Sequence, residues 1–519
     1  MKNFKKGMIP VALAAALSLS AFLVACGGDD DGNTDKWRDQ SIWLQQDALV
    51  PTEAAEIPES SEYRSPAAAV HDPSIFRDPA DGAYYAFGTH YAVAKTYDFA
   101  DEWEQLVSDN DFEKLYGNGR TTYGGKAYPT AIQETVELVK PTSTDASATT
   151  WSTWAPDVEY INGKYYMYYS FTKAFGSHES AIGRVEADNV MGPYSNNTIV
   201  IDSMGATRGR DPNCIDPELF YDKEGKLWMV YGSDSGGIFI KELETEGERA
   251  GLPKKSKEEE GFGKKLWKGG SNQEGPFVYY NASTDYYYLM VSYNSLMSNY
   301  NMHVARSKNP DGPYVGMDGK DVAAEGDGNL VAGNFKMNRS GTSGNGMAAM
   351  GHNSVIKDKD GKYFLVYHSR TTTSTGAVSQ PHKLFVNQIL FNEDGWPVMA
   401  PTPYAGETRG TMTEEQLATT YDLVVHKMPT RKAEHEATFE KSAEYVLTAD
   451  GKITGSGVTD GDGRTLKEGY YIEITLKGVT YKGVVAPGWD SYSNTAKKGV
   501  VTFTAASAVD GTALWAIQK

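Results

Sequence analysis

Four titratable residues, Asp72, Asp216, Glu274 and His352, each stand just before a short apolar strand pattern, in the phrases DPSIF, DPELF, EGPFV and HNSVI. With Ile75-Phe76, Leu219-Phe220, Phe277-Val278 and Val355-Ile356 placed in register, all four fall three residues before the apolar pair, and Ala155 of APDVEYI takes the same place in a fifth segment. A shared address in repeated units brings side chains together wherever the units surround a common axis. Three carboxyl groups and an imidazole gathered in that way are costly, because like charges raise one another's pKa values, unless a proton, metal or substrate uses them. The chemistry on offer is general acid and general base catalysis, with one carboxyl held neutral to give a proton and another held ionised to take one. Any single segment reads equally as punctuation, since Asp-Pro and Gly-Pro open strands and Asp accepts hydrogen bonds from its turn. Glu and His are poor turn formers, so the set favours a cluster.

The elements that must position these residues repeat with them. Each segment is a short apolar strand, then a polar turn such as NGK, KEG or KDG, then a Tyr-rich alternating strand such as YYMYYS or KLWMVYGS. Five such hairpin units in fixed order, with almost no helical periodicity between them, predict an all-β fold of five radial blades, a β-propeller whose first strands line a central channel. The chain has 519 residues, enough for a large core, and its net charge of −18 disfavours nucleic acid or an anionic membrane surface as partner. Twelve per cent aromatics suit strands and sugar-stacking platforms alike, and a neutral substrate fits the charge.

The first residues read as targeting. Lys2, Lys5 and Lys6 precede an apolar stretch from Met8 to Ala25, which ends in LVAC and runs into GGDDDGN. LVAC resembles a bacterial lipobox, which implies a signal peptide over 1–25 and lipidation of Cys26. The acidic run after it resembles the signal that sends such lipoproteins to the cell surface in some Gram-negative bacteria. Residues 26–65 are polar and Pro/Ser/Glu-rich, as expected of a flexible tether. The expected outcome is an outward-facing lipoprotein, attached to the outer membrane or cell surface only by its lipid and monomeric. With Cys26 acylated, Cys214 is left alone, so no disulfide framework is expected.

The propeller is expected over 66–404. Its signature phrases HDPSIF, WAPDV, IDPELF, EGPFV and GHNSV resemble those of glycoside hydrolase family 43, the five-bladed propeller enzymes that cut arabinan and xylan side chains. SAIGRVEADNVMGPY, GFGKKLWKGGSNQEGP, VARSKNPDGPY and HKLFVNQILFNEDGWPV are similar to the endo-arabinanase branch. The resemblance implies hydrolysis of internal α-1,5-L-arabinofuranosidic links by inversion, with Asp72 as general base, Glu274 as general acid and Asp216 orienting the acid and raising its pKa. It also places His352 beside a channel-bound calcium ion, directly or through water, although calcium ordinarily takes oxygen ligands. Still open are an exo-acting α-L-arabinofuranosidase or β-xylosidase of the same family, and a non-catalytic glycan-binding surface lipoprotein. The intact trio of carboxylates speaks against the last.

Trp154 is placed to stack on a furanose ring or to fill the core. Asn213, Asn353 and Ser354 are placed to bond sugar hydroxyls or to cap strand ends. Cys214 reads as a small buried hydrophobe, and His71 and His90 have no spacing that marks them as metal ligands. Residues 107–148 form a long insertion between the first two blades, of the kind that rims an active-site face. Beyond Tyr404 the propeller phrases stop, and 405–519 alternate in strand fashion with Gly turns, resembling the small β-barrel or sandwich some arabinanases carry.

Overall fold

Alternation within the Tyr-rich strands dictates how the sheets stack. In Lys164–Thr172, Tyr286–Tyr293 and Tyr363–Thr371 successive side chains point to opposite faces and nearly every one is buried, so each sheet needs apolar cover on both sides. In the computed structural model, which describes residues 40–59, 68–142, 153–255, 261–270, 272–339, 346–372, 378–379, 381–428, 437–493 and 498–519, neighbouring blades supply that cover. The inner strands are Ser74–Arg77, Thr153–Ile161, Glu218–Tyr221, Gln273–Asn281 and Gly346–Lys357, and each leads an antiparallel four-stranded meander; the fifth meander is part of a six-stranded sheet. The expected five blades are present.

Five apolar clusters fill the gaps between successive blades. Phe76 and Tyr85 meet Val158 and Met167; Ile161 and Tyr168 meet Leu219 and Met229; Phe220 and Val230 meet Val278 and Leu289. Phe277 and Met290 then meet Val355 and Leu365, and Ile356 and Phe364 close the ring on Ile75 and Tyr84. Near the axis, polar side chains stitch neighbouring blades together. Asp157 accepts from Ser74 Oγ at 2.7 Å and from Leu219 N at 2.9 Å, and Ser354 Oγ donates to the Pro73 carbonyl at 2.9 Å.

These clusters correct one detail of the expected register. Ile75, Leu219 and Val355 face the preceding blade, and in the fourth blade that face is taken by Val278, not Phe277. The residue equivalent to Asp72, Asp216 and His352 is therefore Gly275, and the backbone agrees: the four share a left-handed conformation, at φ 52°, 55°, 48° and 56°. A bulge between Glu274 and Phe277 sets Glu274 one step before that address. Gly suits that position, because it carries no Cβ to strain a backbone at φ 56°, and a Cβ there would sit a tight 3.0 Å from His352 Cγ.

The far ends of the inner strands carry a strap. Residues 42–59, expected as part of a tether, instead lie against the body: Trp43 packs on Tyr279 and Tyr363 with ring centroids 6.4 and 5.9 Å away. Asp47 Oδ2 pairs with the buried Lys357 Nζ at 2.6 Å, and Ala54 bridges to Thr411. The expected signal peptide over 1–25, Cys26 and the remainder of the tether (27–39 and 60–65) lie outside the described residues. Among the described residues no helix is long and apolar enough to cross a membrane.

The insertion after the first blade contributes a hairpin, Arg120–Tyr123 with Lys126–Pro129, and the helix Gln133–Val139, whose Thr135, Val136 and Val139 pack onto the second blade. Toward the C-terminus, eight strands from Thr420–His426 to Ala513–Gln518 form one sheet whose interior is filled by Leu423, Ile474, Phe503 and Leu514. Arg339 joins this barrel to the propeller through Asp422 and Asp490.

Candidate active site

A cleft of about 570 Å³ opens where the five inner strands begin, and Asp72, Asp216, Glu274 and His352 all line it. The left-handed turn at the shared address aims three of these side chains across the axis. Asp and Asn tolerate that conformation better than other non-glycine residues, and its recurrence in three blades marks a site where local strain serves function.

Asp72 is buried yet held ionised. Burial alone would raise its pKa, but the imidazoles of His71, His352 and His368 lie with Nδ1 at 3.3, 3.2 and 3.2 Å from its oxygens and bring it well below the usual carboxylate range. Burial pushes His71 down to about 4 and His368 to about 3, so both rings are uncharged at neutral pH. The Thr89 hydroxyl also donates to Asp72 Oδ2 at 2.6 Å, which favours the ionised form.

Asp216 and Glu274 move the other way. Burial, then the charge of Asp72, lifts Asp216 to about 8; burial, then Asp216, lifts Glu274 to about 7. The two form one coupled pair that retains a proton at neutral pH. The backbone N–H of Gly275 donates to Asp216 Oδ2 at 3.1 Å, which ties the third blade to the chain beside Glu274. Glu274 itself accepts from Ser233 Oγ at 3.1 Å and from the Tyr300 hydroxyl at 2.9 Å.

Of the expected sugar-contacting residues, Trp154 and Asn213 line the cleft. The Trp154 indole N–H donates to Thr172 Oγ1 at 2.5 Å, and the exposed Phe175 stands 6.1 Å from its ring centroid. Asn353 and Ser354 do not reach the cleft. Strand alternation turns them into the body, where the Asn353 amide meets Met290 Sδ at 3.4 Å and Ser354 holds Pro73. Cys214 is free and fully buried, and burial pushes its thiol up, as expected of a small hydrophobe.

Several site residues escaped sequence reasoning: Thr89, Ser233, Tyr300, His368 and His382. His71 was noticed, but its companions come from the fifth blade, in YHSR and QPHK, far away in the chain. Only the pairing of those strands, with His368 opposite Leu384, reveals the group. The donors around Asp72 are thus imidazole nitrogens, whereas a calcium cage needs six to eight oxygens. Any calcium ion beside His352, as the family resemblance implies, would therefore be held mainly through water.

A propeller with one ionised carboxyl and a coupled carboxyl pair that retains a proton at the mouth of its axis has the equipment of a glycosidase working by general acid and base. The comparisons with known proteins fit this class: the family model for glycosyl hydrolases family 43 matches residues 129–397, and a C-terminal lipocalin-like domain matches 401–516. The chain is 35% identical to the extracellular endo-alpha-(1->5)-L-arabinanase 2 of Bacillus subtilis, over 86% of this chain and 92% of that one. It is 36% identical to the extracellular endo-alpha-(1->5)-L-arabinanase of Thermotoga petrophila, over 87% and 94%. The crystal structure of an endo-1,5-alpha-L-arabinanase from Thermotoga petrophila superposes with a TM-score of 0.75 at 34% identity, covering 89% of this chain and all of that one. The chain belongs to glycosyl hydrolase family 43.

Proposed function

We propose that this protein hydrolyses internal α-1,5-L-arabinofuranosidic links of arabinan with inversion at the anomeric carbon. The observation that carries the reading is the divergence of the axial carboxyls: Asp72 held low, Glu274 held high beside Asp216, all at the floor of one cleft. In this mechanism Asp72 accepts a proton from the water that attacks the anomeric carbon, while protonated Glu274 delivers its proton to the departing oxygen. Asp216 disfavours the charged form of Glu274 and fixes the adjoining backbone through Gly275. Trp154 and Phe175 offer aromatic faces for furanose rings, and Asn213 an amide for their hydroxyls. The endo mode is supported by the two arabinanases similar along most of the chain.

Export to the cell surface and acylation at Cys26 belong to the same proposal, supported by the lipobox-like LVAC and by the extracellular naming of those relatives. Incubating the chain lacking residues 1–26 with linear and branched arabinan, and sizing products over time, tests the mode. Polymer length should fall quickly while few reducing ends appear. Steady release of monosaccharide from the start would favour an exo-acting enzyme instead.

A further inference from the structure

Beside the cleft, where the fourth blade meets the fifth, stands a tyrosine that never reaches solvent. Tyr300 directly precedes the third strand of the fourth blade, Asn301–Ser307, and is fully buried. Its ring rests on Gly351, where any Cβ would collide with it, and stacks on the His368 imidazole opposite Gly351 in the ladder, with centroids 5.5 Å apart and planes 16° from parallel. Seated there, the hydroxyl donates to Glu274 Oε1 at 2.9 Å. His368 Nδ1 also accepts the Asp72 backbone N–H at 3.1 Å, so one imidazole braces both the residue of the base and the partner of the acid. The other oxygen of Glu274, Oε2, lies 3.1 Å from Ser233 Oγ, and Ser233 lines the cleft. Glu274 therefore has one oxygen turned into the body and one turned toward the cleft wall.

We propose that Tyr300 is the positioning residue of the general acid: it holds Glu274 Oε1 as an acceptor, so that Oε2 carries the proton and delivers it to the departing glycosidic oxygen. The proposal rests on Glu274 being the acid. Burial, then the charges of Glu274, Asp72 and Asp216, hold the Tyr300 phenol well above its usual range, so it remains a donor throughout. A neutral carboxyl with one oxygen occupied by a donor keeps its own proton on the other, and the Ser233 hydroxyl, with its hydrogen rotated away, accepts from it. In the reaction the Oε2–H bond breaks and the proton goes to the glycosidic oxygen. That oxygen leaves with the electron pair of the anomeric C–O bond, and the negative charge stays on Glu274. The charge forms beside a hydroxyl already aimed at Oε1, whose hydrogen bond becomes charge-assisted, shorter and stronger than the one to the neutral acid. Tyr300 thus favours the transition state over the ground state, which places its effect in kcat and not in KM.

Tyr300→Phe in the full chain keeps the ring on Gly351 and His368 and removes only the hydroxyl. On linear arabinan kcat should fall about 10–100-fold with KM within about twofold of the parent. On an aryl arabinoside with an acidic leaving group, which needs no proton from the enzyme, the loss should shrink to about threefold or less. Both substrates are assayed on one preparation, so the ratio of the two losses is independent of how much of the variant is folded. A merely structural role lowers both rates alike, and that result would overturn the proposal. A kcat on arabinan within about threefold of the parent, or a loss confined to KM, would also overturn it. Glu274→Gln, assayed on the same pair of substrates, separates the two levels of the argument. If Glu274→Gln shows the split and Tyr300→Phe does not, Tyr300 has no part in positioning the acid; if Glu274→Gln itself loses both rates equally, the assignment of the acid falls and this proposal with it.

Discussion

The two ends of the same inner strands are built for opposite purposes. At the starting end, the strands kink into a left-handed turn and crowd Asp72, Asp216, Glu274 and His352 into the cleft, with carboxyls displaced from their ordinary pKa values. At the finishing end, Tyr279, Tyr363 and Lys357 receive Trp43 and Asp47 of the strap and form ordinary apolar and ionic contacts. Chemistry therefore sits where the strands begin and stability where they finish, separated by the length of a strand. Substitutions should respect that division: changes at the cleft should cost activity and spare the fold, and changes at the strap should do the reverse.

The largest effect is expected from Asp72→Ala, which removes the group proposed to activate water. Its kcat/KM on arabinan should fall ~10³–10⁴-fold, with no loss of melting temperature, read by reducing-sugar release and thermal unfolding. Activity within tenfold of the parent would break the assignment. Next comes Glu274→Gln, with a loss of ~10²–10³-fold on arabinan. Aryl arabinosides with acidic leaving groups need no proton from the enzyme, so the loss on them should shrink to about tenfold or less. Equal losses on both substrates would mean that Glu274 is not the acid.

At the other end, Trp43→Ala should destabilise the protein by about 2–3 kcal/mol, because the indole is only partly buried, and leave kcat unchanged. A denaturant melt alongside steady-state rates checks both halves. The smallest effect is electrostatic. Replacing Asp216 with Asn keeps an acceptor for the Gly275 N–H but removes a negative neighbour of Glu274, so the alkaline limb of the pH–rate profile should move down by about one pH unit. Stability supplies the cross-check. A carboxyl whose folded pKa is raised binds more protons folded than unfolded, so its stabilising share is full below pH ~4 and is lost as pH rises toward the folded values of about 7 and 8. Asp216→Asn should accordingly raise the melting temperature more at pH 8 than at pH 5. The same increment at both pH values would contradict the raised pKa.

Much of this division was legible in the chain. The repeated strand, turn and Tyr-rich strand revealed five blades, because alternation with both faces apolar has few other solutions. Asp72, Asp216 and His352 were found by their equal distance from the apolar pair. Glu274 was found by the same rule although it sits one residue off the address, since Gly-Pro and the bulge it makes look like an ordinary strand start. What sequence could not show depends on which face a strand turns inward. Asn353 and Ser354 follow His352 directly, yet alternation buries both. His368 and His382 reach Asp72 only because the fifth blade lies beside the first, a closure that leaves no local trace. The strap read as linker because its polar, Pro-rich composition hides the contacts that Trp43 and Asp47 make.

The central claim is that Asp72 acts on water and not on the sugar itself. Proton NMR of the first sugar released from an α-linked arabinan oligosaccharide, recorded before mutarotation, tests it most directly. The account predicts β-configured product, inverted at the anomeric carbon, with the carboxyls of Asp72 and Glu274 roughly 6.5–9.5 Å apart in a substrate complex. An α-configured first product would mean double displacement through a covalent intermediate and would contradict the role given to Asp72.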